Sequence, residues 1–511
     1  MDANKNSSQH KHMQDTPGAK ERLDDRGAHV VFACVFVIML LLPLVCMPFA
    51  SSDASAEKRE LAPSPRLMVD GKPNVNVLSE AGNYFADHFA FRSLLVEWDS
   101  TLKQKLFLTS STNNVVVGTN GWLYYSGTLN DYRRTNAMSD RAIRNAATNL
   151  SLMQERITGM GKRFVVAIAP NKNALYPQNM PYYQLKGDGK TNAERLLAEM
   201  DLRGVKHTDL YKAFGEQDKV LYFERDSHWN DMGALLAYQT IVGQLGFDPV
   251  DFTRDGVEQD AHTGDVDGML HPVSAAPEKQ DVFTAVNEYT ITNDAAGVED
   301  NYIITAANSQ SAADTLIMYR DSFGNNLLKP FAASYKQAVF TKLVPYDMGD
   351  KMTAFAHDVV VERTERHLAY FATNPPYMPA PERQIQNGVT ERGGNTSVFV
   401  QQNGPYLQIE GTLDNSVVGD EDRVYVTVSG EDGNQRAFEA FLVSKSEGSS
   451  DDFEGAAQNE DNGHVTGDWG YRAFLPNDVF METESKEVSV LAVNGNSAYV
   501  IAHGSLGDSV G

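Results

Sequence analysis

The strongest constraint on the fold is a set of short, uninterrupted apolar runs, each followed by a polar turn. The clearest are residues 164–169 (FVVAIA), which precede Pro170, and residues 316–319 (LIMY), which precede Arg320. Runs of this kind are typical of strands that are buried on both faces of a parallel sheet. The same pattern predicts further strands at residues 221–223, 338–344 and 358–361.

Helical patterns lie between these strands, for example at residues 191–200 and 231–245. Alternation of this kind predicts a doubly wound α/β sheet. In such sheets the functional groups gather at the carboxyl ends of the strands. Asn171, His228 and Ser322 all follow predicted strands, so we expect the active groups there.

The pattern changes after Gly393 and Gly394, where short apolar runs follow one another without an intervening helix. Glycine, asparagine and aspartate separate the runs, which is typical of a β-sandwich. The runs are residues 398–402, 406–410, 424–428, 437–443, 471–475, 488–493 and 498–502. Trp469 near these runs is either a core residue or a platform for a carbohydrate.

The N-terminal region contains an uncharged run at residues 30–49 that is long enough to span a bilayer. Basic residues before it favour a cytoplasmic N-terminus and an extracytoplasmic body on a single-pass anchor. A cleaved signal peptide is the alternative, because residues 54–56 (ASA) resemble a cleavage site. The predicted layout is a disordered cytoplasmic tail (1–29), a transmembrane anchor (30–50), a linker (51–78), a catalytic domain (79–390) and a sandwich (395–505).

Charge and cysteine usage exclude several classes of function. The net charge of −24 argues against a nucleic-acid partner, which requires basic surface. Cys34 and Cys46 are the two cysteines, and both lie in the apolar run, so the body has no disulfide, thiolate or cysteine–zinc site. A metal set built from His262, Asp265, Asp267 and His271 is disfavoured by its loop-like spacing. No cofactor or metal is expected.

Two short motifs carry the chemistry. Asp226 and His228 stand two residues apart on a turn, where the carboxylate could orient the imidazole; Ser322 stands between a strand and a helix. A serine hydroxyl becomes a nucleophile when an imidazole oriented by a carboxylate takes its proton. Alternatively, the first motif is a surface turn and Ser322 caps a helix.

Taken together, these motifs resemble the SGNH (GDSL-like) hydrolases, in which an Asp-Ser block follows a buried strand. Here the order of the serine and histidine blocks is reversed, as in the alginate O-acetyltransferase-like proteins of bacterial envelopes and their DHHW-motif relatives. Residues 87–92, 118–125, 169–172, 176–177, 264–265 and 269–270 fit the same relatives. Arg320 and Ser227 depart from the pattern, since the relatives have glycine and histidine there.

The resemblance implies a circularly permuted, flavodoxin-like three-layer α/β sheet. It also implies O-acetylation of a surface polysaccharide by a triad of Ser322, His228 and Asp226, with a membrane-bound O-acyltransferase as the partner. The alternatives are a deacetylase of a surface glycan and a non-catalytic glycan-binding or assembly protein. Asn171 and Gly264 are candidate oxyanion donors, and the candidates for substrate binding are Lys172, Trp229 and Arg320.

Overall fold

The computed structural model describes residues 20–47, 62–69, 71–107, 109–253, 256–293, 301–308, 313–385, 388–429, 435–446, 465–481, 487–495 and 497–505. The chain divides into two compact units. The first comprises Met1–Leu102 with His271–Ser274, and the second comprises Lys103–Leu270 with Ala275–Gly511. The predicted tail up to residue 19 and the predicted linker up to residue 61 lie outside the described residues.

The first unit contains helices and one small hairpin. Its helices are α1 (Lys20–Cys46), α2 (Val77–His88) and the start of α3 (Arg92–Phe107), and its hairpin pairs β1 (Met68–Val69) with β2 (Lys72–Pro73). The carboxylate of Glu97 on α3 accepts hydrogen bonds from His271 and Ser274, which fixes that short segment within the unit.

The N-terminal predictions need correction. Residues 20–29 belong to helix α1 and not to a disordered tail. Within the described parts of the chain, no helix is both long and apolar enough to cross a membrane. The predicted anchor at residues 30–50 is therefore not supported: α1 starts in a charged stretch and ends at Cys46, before the predicted apolar run does.

The second unit contains the remaining helices and strands. Its helices are α4 (Leu129–Arg133), α5 (Asp140–Gly159), α6 (Lys172–Leu175), α7 (Asn192–Leu202), α8 (Leu210–Gly215), α9 (Asp231–Leu245), α10 (Asp265–Leu270), α11 (Gly324–Ser334), α12 (Asp350–Phe355), α13 (Tyr370–Thr373) and α14 (Asn477–Met481). Its strands up to residue 364 are β3 (Val115–Val117), β4 (Leu123–Tyr125), β5 (Arg163–Ala169), β6 (His207–Thr208), β7 (Val257–Thr263), β8 (Pro277–Val282), β9 (Tyr289–Ile291), β10 (Tyr302–Ala307), β11 (Ala313–Tyr319), β12 (Tyr335–Thr341) and β13 (Asp358–Thr364).

Seven of these strands form the central sheet, in the order β6-β5-β13-β11-β12-β10-β9. The first five are parallel, and β10 and β9 add an antiparallel edge. The α/β prediction is confirmed, but the sheet is mixed and not wholly parallel. Two hairpins, β3–β4 and β7–β8, lie outside this sheet.

Both faces of the central sheet are buried, which explains the uninterrupted apolar runs. Along β5, Val166 and Ile168 point into one hydrophobic cluster, whereas Val165 and Ala167 point into the other. One prediction of this set is wrong: residues 221–223 do not join the sheet. Tyr222 instead forms an isolated antiparallel bridge with Trp229, so the segment belongs to an irregular loop.

The C-terminal part consists almost entirely of strands, as predicted. They are β14 (Glu382–Arg383), β15 (Val389–Glu391), β16 (Phe399–Asn403), β17 (Tyr406–Thr412), β18 (Arg423–Ser429), β19 (Gln435–Glu439), β20 (Phe441–Ser446), β21 (Val465–Pro476), β22 (Glu487–Asn494) and β23 (Ser497–Ser505). Six form a sheet in the order β14-β19-β18-β22-β23-β15, and four form a second sheet in the order β16-β17-β21-β20. Inner-face residues of both sheets pack in one buried cluster.

This cluster continues into the α/β part through helix α5. The side-chain amide of Asn149 on α5 donates hydrogen bonds to the carbonyls of Phe371 and Leu442, at 3.0 and 3.1 Å. Trp469 is 6% exposed, and the guanidinium of Arg141 lies 4.6 Å from its ring centroid. Trp469 is therefore a core residue. The domain limits 79–390 and 395–505 stay a prediction, although a shared core argues against two independent units.

Candidate active site

Ser322 lies at the carboxyl edge of the central sheet, in the turn between strand β11 and helix α11. Strand β11 has a parallel neighbour on each side, so its end is fixed by two hydrogen-bonded ladders. His228 approaches from the loop formed by residues 223–230. A hydrogen bond from the side chain of Asn326 on α11 to the carbonyl of Trp229 joins the two segments at 3.0 Å.

Ser322, His228 and Asp226 form one continuous chain of hydrogen bonds. The Oγ of Ser322 lies 2.9 Å from Nε2 of His228, and Nδ1 of His228 lies 2.7 Å from Oδ1 of Asp226. Because Nδ1 donates to the carboxylate, Nε2 of the neutral ring is free to accept the proton of the hydroxyl. The ring of Phe323 packs 4.8 Å from the imidazole, centroid to centroid.

The carboxylate of Asp226 is held from both sides. Its Oδ1 also accepts the backbone N–H of His228, and its Oδ2 accepts from Nε2 of His262 and from the backbone N–H of Asp265, each at 2.8 Å. Burial alone would favour the neutral acid. The hydrogen bonds and charges of the two histidines outweigh burial, and they hold the pKa of Asp226 well below its usual range. Asp226 therefore stays ionised beside His228.

Two charged side chains hold the backbone of the loop. The ammonium group of Lys172 donates to the carbonyls of Phe223, Glu224 and Asp226 at 3.1, 3.0 and 2.6 Å, while the carboxylate of Glu278 accepts the N–H groups of residues 224 and 225. Burial lowers the pKa of Lys172 to about 8, against the pull of the surrounding carboxylates. Lys172 therefore positions the loop and has no free face for substrate.

Asp321 holds the turn that carries Ser322. One oxygen accepts the N–H of Phe323 at 2.9 Å, and the other accepts the N–H and the hydroxyl of Thr364 and Nδ1 of His367. Burial opposes ionisation, but the bond from His367 and nearby arginines hold the pKa of Asp321 well below its usual range. The adjacent Glu362 accepts the N–H of Asp321, and burial raises the pKa of Glu362 well above its ordinary value.

The other predicted site residues lie elsewhere. Trp229 and Arg320 are at most 1% exposed; the indole packs against Phe323, and the guanidinium bonds the side chain of Asn325. Neither offers a surface to substrate, which corrects the prediction. Arg320, which stands where the related motif has glycine, lies directly against Gly324 in the turn.

The two candidate oxyanion donors differ in their surroundings. The side-chain amide of Asn171 donates to Asp131 at 3.1 Å, and its backbone N–H donates to Glu365. Gly264 lies so close to the carbonyl of Arg225 that a Cβ atom would collide with it. No hydrogen bond links either residue to Ser322 within the part of the chain that the structure describes.

Three residues that the sequence did not assign to the active site border it. His262 and Asp265 contact Asp226. The sequence suggested both as part of a rejected metal set, and Asp265 also lies in a segment that fits the relatives. The guanidinium of Arg366 lies 5.5 Å from the ring centroid of Phe323, and its Nη1 is buried without a hydrogen-bond partner. Sequence spacing gives no signal for these positions, because hairpin β7–β8 and the end of β13 reach the site only in the folded chain.

One group of His and acidic side chains among the described residues has the close spacing that metal sites show. Single ligand atoms of Asp226, His228 and Asp265 lie within 4.8 Å of one another. Hydrogen bonds within the triad and its neighbours account for this spacing without an ion. The arrangement is therefore suited to proton transfer between a hydroxyl and an imidazole.

Comparison with known proteins points to the same family as the motifs. Residues 115–310 match a family model described as the SGNH hydrolase-like domain of acetyltransferase AlgX. A curated relative, "Probable alginate O-acetylase AlgJ" from Pseudomonas syringae pv. tomato, is 24% identical over 264 residues, or 48% of this chain. The chain spans 61% of that relative's length. The resemblance to SGNH-like acetyltransferases is thus confirmed, although the matched range contains His228 and ends before Ser322.

Two solved structures are also similar. Bacillus cereus PatB1 is 18% identical with a TM-score of 0.39, and the alignment covers 50% of this chain and 96% of that one. Pseudomonas aeruginosa AlgX is 14% identical with a TM-score of 0.36, and the alignment covers 80% of this chain and 98% of that one.

Proposed function

We propose that this chain is a serine-nucleophile O-acyltransferase in which Ser322 carries the acyl group, His228 transfers protons and Asp226 orients His228. One observation carries the proposal: the 2.9 Å contact between Ser322 Oγ and His228 Nε2, in line with the Asp226 carboxylate. The contact lies at the carboxyl edge of the sheet, where α/β proteins place their active groups.

In the first half-reaction, His228 Nε2 removes the hydroxyl proton of Ser322 as Oγ attacks the carbonyl carbon of an acyl donor. The tetrahedral intermediate collapses, and the leaving group takes the proton from His228 as its bond to the acyl carbon breaks. In the second half-reaction, a sugar hydroxyl gives its proton to His228 and attacks the ester on Ser322. Ser322 then recovers the proton, and the acyl group has moved to the sugar.

Charges around the triad support these steps. The ionised Asp226 stabilises the imidazolium of His228 that forms in each half-reaction. Arg366 adds a cation beside Phe323, 5.5 Å from its ring centroid, and this charge favours the negative charge that develops on the acyl oxygen. Asn171 is not assigned this role, because its amide already bonds Asp131.

We propose the polymer, the partner and the location on the basis of the resemblance. The curated relative is named "Probable alginate O-acetylase AlgJ", so we propose a surface polysaccharide as the acceptor. A membrane-bound O-acyltransferase would supply acyl groups to an extracytoplasmic enzyme. Deacetylation would use the same triad with water as the acceptor, whereas a glycan-binding protein would not need the triad.

The test is acyl-enzyme formation on the full-length chain. With p-nitrophenyl acetate as donor, mass spectrometry should find acetyl on Ser322, and added oligosaccharide should increase turnover. Ser322→Ala should abolish both signals, and His228→Ala should lower turnover about as much, because the two residues act as a unit. Ser416→Ala, a serine in a loop of the C-terminal region, is the matched control.

The outcomes separate the alternatives. Acetyl transfer to sugar supports the transferase, and release of acetate that added sugar does not change supports the deacetylase. Unchanged turnover in Ser322→Ala, or a label on another residue, would refute the mechanism and favour the glycan-binding protein.

A further inference from the structure

Asp226 has a histidine on each of its two oxygens. Oδ1 accepts from Nδ1 of His228 at 2.7 Å, and Oδ2 accepts from Nε2 of His262 at 2.8 Å. The ring of Phe223 stacks on His262, with centroids 3.8 Å apart and an interplanar angle of 16°. His262 is thus fixed in place by a ring contact and a charge-assisted hydrogen bond, although a serine triad requires only one histidine.

The surroundings of His262 favour its charged form. Burial opposes the charge, but the hydrogen bond to Asp226 and the charge of Asp226 outweigh it, so the pKa of His262 is raised above its ordinary value. Four acidic groups lie near His262, and four basic groups face them. The acidic groups are Asp226, Asp231, Asp265 and Glu278, and the basic groups are Lys172, Arg225, His228 and Lys329.

We propose that His262 is a positioning residue that fixes Asp226 and, as an imidazolium, tunes His228 as a base. The inference rests on the proposed function, in which His228 takes the proton of Ser322. A lone carboxylate increases the affinity of a neighbouring imidazole for a proton, and a cation on the far oxygen offsets part of that effect. His262 therefore offsets part of the pull that Asp226 exerts on the proton of His228.

His262→Gln tests the charge separately from the hydrogen bond, because an amide N–H can still donate to Asp226 but never carries a charge. The titration of His228 is followed by NMR on labelled imidazoles of the full-length chain, with the signal assigned by its loss in His228→Gln. The midpoint should rise by about one pH unit relative to the wild type. The acidic limb of kcat/KM for p-nitrophenyl acetate should shift the same way, with the high-pH plateau preserved within about threefold.

His207→Gln is the control, since His207 pairs with Asp201 at 2.9 Å outside the active site and should leave the midpoint of His228 unchanged. An unchanged midpoint in His262→Gln, with activity lowered equally at every pH, would overturn the proposal and leave His262 a structural residue. His262→Asn is the second variant if His262→Gln does not fold. If the wild type is inactive but the midpoint of His228 still differs between the wild type and His262→Gln, the result supports the coupling and refutes only the proposed function.

Discussion

The two halves of the proposed active site are held in different ways. The turn with Ser322 extends a central strand of the sheet, and the carboxylate of Asp321 ties it to Thr364 at the end of the neighbouring strand. The loop with His228 lies outside the sheet. Its backbone is held by the side chains of Lys172 and Glu278, which come from distant parts of the chain, and by a few backbone hydrogen bonds to segments outside the sheet.

The difference predicts different responses to substitution. A turn that continues a buried strand shares its hydrogen bonds with the core, so a change there should lower global stability and activity together. A loop that is held by side chains can open locally while the sheet stays folded. Changes in the loop should therefore reduce activity much more than they reduce the free energy of unfolding.

The largest effect is expected for Asp321→Ala. The substitution leaves the buried N–H groups of Phe323 and Thr364 and the ring of His367 without their acceptor, so the free energy of unfolding should fall by about 3–5 kcal/mol. Activity should fall with it. Urea denaturation and p-nitrophenyl acetate turnover measure the two effects. Asp350→Ala, which removes an exposed partner of Arg156, should cost only about 0–1 kcal/mol.

A stable Asp321→Ala variant would contradict the view that the serine turn is part of the core. The comparison between turn and loop would then fail.

Lys172→Met should produce the opposite profile. Three loop carbonyls lose the donor that Lys172 supplies, although the carbonyl of Glu224 still accepts the N–H of Leu123. Methionine has a similar length and avoids the cost of a buried charge. The free energy of unfolding should fall by about 1–2 kcal/mol, whereas turnover should fall about 100-fold because His228 is no longer held beside Ser322. If Lys172→Met lowered the free energy of unfolding as much as Asp321→Ala does, the loop would not open independently of the sheet.

The lowered pKa of Lys172 gives a test by pH. Between about pH 8 and the ordinary range of a lysine, the unfolded chain binds a proton that the folded chain has released. The stability of the wild type relative to Lys172→Met should therefore rise with pH over this window, by roughly 1–3 kcal/mol. Urea denaturation of both proteins at pH 7.5, 8.5 and 9.5 measures the difference. A constant difference would mean that Lys172 keeps its ordinary proton affinity.

Ser227→Ala should have the smallest effect. Its hydroxyl donates to Asp265 at 2.7 Å, but the backbone N–H of the same residue bonds that carboxylate too. Because one hydrogen bond among several is lost, the free energy of unfolding should fall by about 1 kcal/mol and turnover should fall a few-fold. A 100-fold loss would give Ser227 a direct part in the proton transfer.

The sequence identified the parts of the molecule whose signal is local. Buried strands such as β5 and β11 were visible as apolar runs, and the residues of the Asp-His-Ser chain were visible because each motif lies next to such a run. The segment at residues 221–223 was misjudged as a strand, because three apolar residues before a polar turn look the same in a strand and in a buried loop.

Sequence by itself thus determined the α/β alternation, the β-rich C-terminal part and the identity of Ser322, His228 and Asp226 as a group. Only the tertiary structure decided which side chains surround them. Lys172, His262 and Asp321 act through hydrogen bonds to atoms that are mostly distant in sequence, and a pattern of neighbouring residues carries no record of such contacts. The same physical reason applies to Trp229 and Arg320, whose burial depends on packing and not on their place in a motif.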